Sequence, residues 1–395
     1  MEKARNIIAA NIITLPIENI SIHHASGRIA AEDISAEYDI PFCDESLRDG
    51  YVVPFTSESE EGDSVFPIVG EIAAGSEKVD RLLPGSSCRI YTGGLIPEGG
   101  SRVVPYEKCD ENDGTVRIAK KVLQSDRLFI RRKGSEIRRG EVLVCKGSRL
   151  CLDQLVLLAS VGIQEIPVYS QPRVVCFCTG SELLQTGNQL VKGKKISTNS
   201  FLLESMIPLY GGRVDKCSIL PDDSILLKNM FDGLQEKHVD VVISTGGMGP
   251  GKYDLVKDAF CAAGGKIILN SLPMRPGKSI LLGKLKDMYF IALPGPPHAV
   301  RTLLSEFVGP LVLMLQRASV CWPKSFQASL EHSCHIRLQK GIQVKSGILS
   351  VVNGRCLVRL AKRLEVASCN IVFAADREDY KKGDLVEVHL WHTEQ

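Results

Sequence analysis

Hydrophobic positions along the chain change their spacing several times, and each change marks a different kind of element. The first residues read as a helix, followed by a short extended piece at Pro16–Ile22 and a further apolar-periodic segment from Gly27. From Tyr51 to about Val122 the apolar runs are short, β-branched and cut by Gly and Pro, the spacing of a compact β domain. Hairpin-like pieces follow, and the apolar residues of Asp153–Ser160 recur at helical spacing up to Gly162. Pro172 opens a region in which strands and helices alternate, the pattern of a parallel sheet with helices on its faces. Strands are predicted at Arg173–Cys178, Val214–Ile219, Val239–Ser244, Lys266–Leu269, Ser279–Leu282 and Met288–Leu293. Helices are predicted at Ser200–Leu209, Ser224–Leu234 and Ala299–Leu315. After Cys321-Trp322-Pro323, alternating segments such as Leu385–Leu390 predict a small C-terminal β domain. The domains expected are a discontinuous one over 1–45 and 123–171, a β-rich one over 46–122, an α/β one over 172–318 and a β one over 323–395.

One stretch organises the rest. The apolar run from Val239 ends in Thr245-Gly246-Gly247-Met248-Gly249-Pro250-Gly251, and Leu255, Val256, Ala259 and Phe260 then return at helical spacing. Glycines free the backbone for positive φ and for close approach of its N–H groups to an anion, and a helix start favours phosphate. A phosphate-bearing ligand and a plain strand-to-helix turn both fit that pattern taken alone.

Composition disfavours some classes of function. Lys plus Arg number 48 against 46 Asp plus Glu, net +2, so no single-sign field argues for nucleic acid or a membrane surface. Thirteen cysteines without a C-x-x-C pair fit reduced thiols, and the closest pair, Cys176 and Cys178, is expected to face opposite sides of its strand. No secretory leader pattern opens the chain, and no run approaches the roughly 20 apolar residues of a membrane helix, so a cytoplasmic protein is expected. His332-Ser-Cys334-His335 lacks a second ligand pair for zinc.

In open α/β sheets ligands sit beyond the C-terminal strand ends. Thr179-Gly180-Ser181-Glu182, Thr245–Gly251 and Pro294-Gly295-Pro296-Pro297 would share one edge there. Asp222 and Asp254 stand close by in sequence, although an aspartate before a helix is commonly its cap, and Asp254 also suits a first helical turn. Carboxylates beside a phosphate cradle suit Mg²⁺. Arg275-Pro276-Gly277-Lys278 sets two cations around a rigid bend, as an oxyanion needs.

Together these stretches resemble the MoeA/gephyrin E-domain family of molybdopterin molybdenumtransferases, over essentially the whole chain. The matching motifs are Ser46-Leu47-Arg48-Asp49-Gly50-Tyr51, Tyr91-Thr92-Gly93-Gly94, Thr179–Leu183, Asp222-Asp223, Gly246–Asp254, Arg275–Lys278 and Leu293–Pro297. The resemblance implies a multidomain α/β plus β protein: a doubly wound molybdopterin-binding α/β domain, small β-rich domains and a barrel-like C-terminal domain. It implies adenylylated molybdopterin as substrate, Mg²⁺, molybdate and release of AMP. It also implies a homodimer with the site between chains and a molybdopterin-adenylylating enzyme upstream. Carried over, Asp49, Thr92, Glu182, Asp222, Asp254 and Arg275 are catalytic, and Asp49, Glu182, Asp222 and Asp254 hold metal. Thr179, Gly180, Ser181, Thr245, Gly246, Gly247, Gly249, Gly251, Lys278, Pro294, Gly295 and Pro297 bind the pterin. The chain departs from the family pattern at Met248-Gly249-Pro250, Arg275 and Pro296. A non-catalytic pterin or peptide binder, and an enzyme for another phosphorylated pterin or nucleotide, are the alternatives those departures leave.

Overall fold

The computed structural model describes residues 2–55, 63–77, 79–248, 255–337 and 341–391. The chain forms two compact units. One comprises Met1–Glu32, Lys146–Cys151 and Glu165–Gln395, and the other Asp33–Cys145 with Leu152–Gln164.

The second unit is built on a six-stranded mixed sheet with the spatial order Arg102–Pro105, Gly50–Val53, Ser87–Ile90, Ser64–Ile72, Thr115–Ile118 and Cys109–Asn112. Its faces bury alternate residues, as the short β-branched runs predict. Tyr51, Val53, Val104, Val116 and Ile118 pack on one side, and Val52, Ile72, Ile90 and Val103 on the other.

In the first unit, the α/β sheet has the order Arg213–Leu220, Arg173–Thr179, Val241–Thr245, Met288–Leu293, Leu281–Leu285 and Lys266–Leu269. The first four run parallel. Leu281–Leu285 runs antiparallel to both its neighbours, which corrects the fully parallel sheet expected. Only Lys286 and Asp287 join it to Met288, and Lys286 has φ 53°. Two residues can turn a hairpin but cannot make the crossover a parallel pair requires.

Both faces of this sheet are covered at its centre, so Arg173–Thr179, Val241–Thr245 and Met288–Leu293 run almost continuously buried rather than alternating. On one face Phe177, Phe231, Phe260 and Phe290 pack together, each 0 % exposed. Burial of such side chains contributes roughly 1.5–3 kcal/mol apiece. On the other, Val174, Cys176 and Cys178 meet the helix Thr198–Leu209 and the helical stretch from Pro297. Cys176 and Cys178 thus share a face, contrary to the expectation above, because residues two apart in a strand point the same way. All thirteen cysteines are free thiols.

The helical stretch Pro297–Leu315 is long and apolar enough to cross a membrane, which the sequence reading overlooked, but 83 % of it is buried within the protein. The C-terminal strands Ser325–Leu330, Ile342–Val352, Arg355–Leu360, Cys369–Phe373 and Leu385–Leu390 close into a five-stranded barrel, with Met274–Arg275 pairing onto Ile342–Gln343. Closure leaves the barrel no free edge.

Candidate functional site

Because Cys178 pairs with Thr245 and Thr245 with Leu293 in parallel register, the three strands end side by side. The turns after them, at Thr179–Glu182, Gly246–Gly247 and Pro294–Pro297, therefore occupy one edge of the sheet. Between them lies a cleft of about 450 Å³, lined by Thr179, Gly180, Glu182, Asn199, Asp222, Thr245, Gly246, Gly247, Gly295, Pro296 and Pro297.

The floor of this cleft depends on two glycines. Gly246 has φ 91° and Gly247 φ 62°. A Cβ on Gly246 would lie 2.6 Å from the Thr179 carbonyl oxygen, and one on Gly247 2.7 Å from Val256 Cγ2. Side chains are thus excluded both by conformation and by space. Asn199 ties the edge together: its Nδ2 donates to Gly295 O at 2.8 Å and to Thr245 Oγ1 at 3.2 Å. Its Oδ1 and the hydroxyl of Thr179 are buried and have no partner among the described residues. Buried polar atoms are costly to leave unpaired, so two of them lining a cleft fit a polar ligand that completes them.

Glu182 and Asp222 are the two carboxylates of this cleft. Asp222 is not the helix cap that its position suggested. Asp223 takes that role, accepting from Ile225 N and Leu226 N at 2.9 Å, and leaves Asp222 to face the cleft. Among the described residues no three His, Cys, Asp or Glu side chains gather as a metal site. Two carboxylates are nevertheless the number Mg²⁺ takes when ligand phosphates and water supply the rest.

A second cleft, of about 370 Å³, shares Pro296 with the first and is lined by Arg275, Lys278, Pro294, His298, Thr302, Lys345 and Ser346. The Pro294–Pro297 turn is the ridge between the two. Pro296 stands immediately before the helix Pro297–Leu303, where a missing N–H costs no helical hydrogen bond. The departure from the family pattern at Pro296 is therefore accommodated.

Of the residues singled out in the sequence, Thr179, Gly180, Glu182, Asp222, Thr245, Gly246, Gly247, Gly295 and Pro297 converge on the first cleft, and Arg275, Lys278 and Pro294 on the second. Ser181 does not line either; its carbonyl accepts from Lys194 Nζ at 2.7 Å. Gly249, Gly251 and Asp254 lie outside the described residues. Asp49 and Thr92 belong to the other unit. There Asp49 Oδ1 accepts from the Thr92 N–H at 2.7 Å and from its hydroxyl at 2.8 Å, and these two bonds hold the carboxyl below its ordinary range. Asn199, Lys345 and Ser346 were missed. Asn199 is hidden in Ser197-Thr198-Asn199, a run that reads as helix capping, and Ser197 does accept from Ser200 N. No local signal marks the barrel residues.

Residues 1–162 match the family described as MoeA N-terminal region (domain I and II), and residues 177–313 one described as probable molybdopterin binding domain. The chain is 32 % identical over 300 residues to a molybdopterin molybdenumtransferase of Haemophilus influenzae, covering 76 % of this chain and 73 % of that one. It is 28 % identical to the Staphylococcus epidermidis enzyme of the same name over 382 residues, 94 % of this chain and 90 % of the other. Its structure resembles that of a molybdopterin biosynthesis MoeA protein from Pyrococcus horikoshii with TM-score 0.83 and 28 % identity, covering 98 % of each chain.

Proposed function

The chain belongs to the molybdopterin molybdenumtransferases of molybdenum cofactor biosynthesis, and from that premise we propose that it inserts molybdate into adenylylated molybdopterin with release of AMP. The observation that carries this reading is the pair of adjoining clefts. One offers glycine backbone, unpartnered buried hydroxyl and amide oxygens and two carboxylates, while the other offers Arg275, Lys278 and Lys345. A phosphorylated pterin suits the first and a tetrahedral oxyanion the second, and the shared Pro296 ridge makes them neighbours.

In this reading Thr179, Thr245 and the N–H of Gly247 hold the substrate phosphate, the Gly246 N–H being donated to Leu293 O, and Asn199 holds Thr245 and the Gly295 turn together. Glu182 and Asp222 would hold Mg²⁺, which supplies charge neutralisation at the phosphates. Water then cleaves the linkage to the adenylyl group, and AMP leaves. Arg275 and Lys278 orient molybdate toward the dithiolene without being consumed. We assign Asp49 and Thr92 to the same chemistry through a homodimer, in which one copy completes the cleft of another. An adenylylating enzyme supplies the substrate, and the free thiols suit a cytoplasmic setting.

The test is AMP release from adenylylated molybdopterin by purified protein with Mg²⁺, with and without molybdate. Molybdate-dependent release is the expected result. Tight pterin binding with no release under either condition would overturn the enzymatic reading. Light scattering at micromolar concentration tests the dimer, and a monomer would remove Asp49 and Thr92 from the site.

A further inference from the structure

Glu306 has no part in the roles above, yet it is wholly buried. It sits in a single π turn, Leu304–Val308, that interrupts the helical stretch beginning at Pro297. Such turns are rare and concentrate at functional sites. A buried carboxylate persists only where donors fill its oxygens. Here Asn370 Nδ2 donates to Oε1 at 2.7 Å, while His389 Nδ1 lies 2.8 Å and Arg5 Nη2 3.2 Å from Oε2. The other nitrogen of His389 is 3.0 Å from Glu387 Oε1, and Tyr210 also lies within electrostatic reach of Glu306.

These donors come from the barrel strands Cys369–Phe373 and Leu385–Leu390 and from the N-terminal helix Glu2–Asn11. Asn370 pairs with Ser346 across antiparallel strands, and Ile371 with Lys345. Directly paired residues share a face, so Ser346 stands beside Asn370. On the helix, Ser305 Oγ accepts from Asn370 at 2.9 Å and donates to Thr302 O at 3.0 Å. Thr302, Lys345 and Ser346 all line the cationic cleft.

We infer that Glu306 is a positioning residue for the oxyanion. It clamps the barrel wall that carries Lys345 and Ser346 against the helical wall that carries Thr302, and so sets the width of the cationic cleft. The inference rests on the assignment of that cleft to molybdate. It distinguishes Glu306 from a merely structural ion pair, because loosening the clamp moves one wall of the oxyanion cleft and leaves the glycine cradle in place.

Glu306→Gln in the full chain keeps the shape but removes the charge that gathers His389 and Arg5. With saturating pterin, the half-saturating molybdate concentration is expected to rise on the order of 10-fold or more, since an ångström of misplacement in a reacting site costs up to about 100-fold. Maximal AMP release and half-saturation by the pterin should stay within about two-fold. Asn370→Ala, which retains the carboxylate but frees the strand, should raise the molybdate requirement in the same direction. An unchanged molybdate requirement in folded Glu306→Gln overturns the inference, as does an equal loss in pterin affinity and maximal rate. If that variant does not fold, Asn370→Ala decides by the same criteria. Parent protein that releases AMP without any dependence on molybdate would instead refute the assignment of the cleft, and the clamp with it.

Discussion

Gly246→Ala isolates the geometry on which the glycine-floored cleft depends. The residue adopts φ 91°, and its added Cβ would meet Thr179 O at 2.6 Å and Thr179 Oγ1 at 2.9 Å. An L-residue in that conformation costs about 1–2 kcal/mol. Forcing a methyl against backbone costs a further ~1–3 kcal/mol, because Thr179 ends a buried strand and cannot withdraw as a flexible side chain would. The sum, roughly 2–5 kcal/mol, corresponds to a fall of about 4–10 °C in the unfolding midpoint, at about 2 °C per kcal/mol for a unit this large. Gly295→Ala is the control in the same cleft, since a Cβ there meets nothing within 4 Å and its φ is not positive. It should change stability by less than about 0.5 kcal/mol. The assay is thermal unfolding of the two variants beside the parent, followed by titration with adenylylated molybdopterin. Gly246→Ala should lose both stability and affinity. If both variants unfold at the parent's midpoint, neither the strain at Gly246 nor its close approach to Thr179 is real, and the cradle argument fails.

The two adjacent aspartates should separate by role: Asp223→Ala loses a helix cap worth about 1 kcal/mol with AMP release retained, and Asp222→Asn keeps stability but loses release. Thr92→Val removes the second of the two bonds that hold Asp49 low, so the Asp49 carboxyl should titrate closer to 3.8 by carboxyl NMR, and the acid limb of the rate profile should move to higher pH. A pKa that does not move would mean that the N–H alone depresses it. Burial pushes His389 down, but Glu306 and then Glu387 hold its proton, and the net effect is a pKa above 6.5. Because the folded value is the higher one, this contribution to stability is complete below 6.5 and is lost as pH rises through the folded value. The unfolding midpoint of the parent should therefore fall toward alkaline pH more than that of His389→Gln, and parallel curves would exclude the linkage.

Much of the cleft edge was legible because its determinants are local. Dense glycine after a buried strand states a backbone requirement that neighbouring residues cannot override, and the βα alternation forces the strand ends of a parallel sheet to one side. The helix Ser224–Leu234 and the strand Met288–Leu293 begin and end where periodicity and turn residues place them. The antiparallel direction of Leu281–Leu285 was not legible, because the strand predicted at Ser279–Leu282 stops short of the two-residue connection and an apolar run alone does not distinguish strand direction.

What the sequence by itself determined, then, is the class of fold, the glycine cradle and the cationic Arg275–Lys278 bend, since these follow from period, φ and charge within a few residues of one another. Tertiary structure decided which of Asp222 and Asp223 faces the cleft, because both are equally placed to cap and only the path of the chain chooses. It also decided that Asn199 ties the end of the Thr245 strand to the Gly295 turn, that Lys345 and Ser346 from the barrel complete the wall of the second cleft, and that Glu306 gathers donors from residues as distant as Arg5 and His389. These contacts join elements far apart in the chain, and no spacing along the sequence encodes which side chains meet once separate faces are buried together.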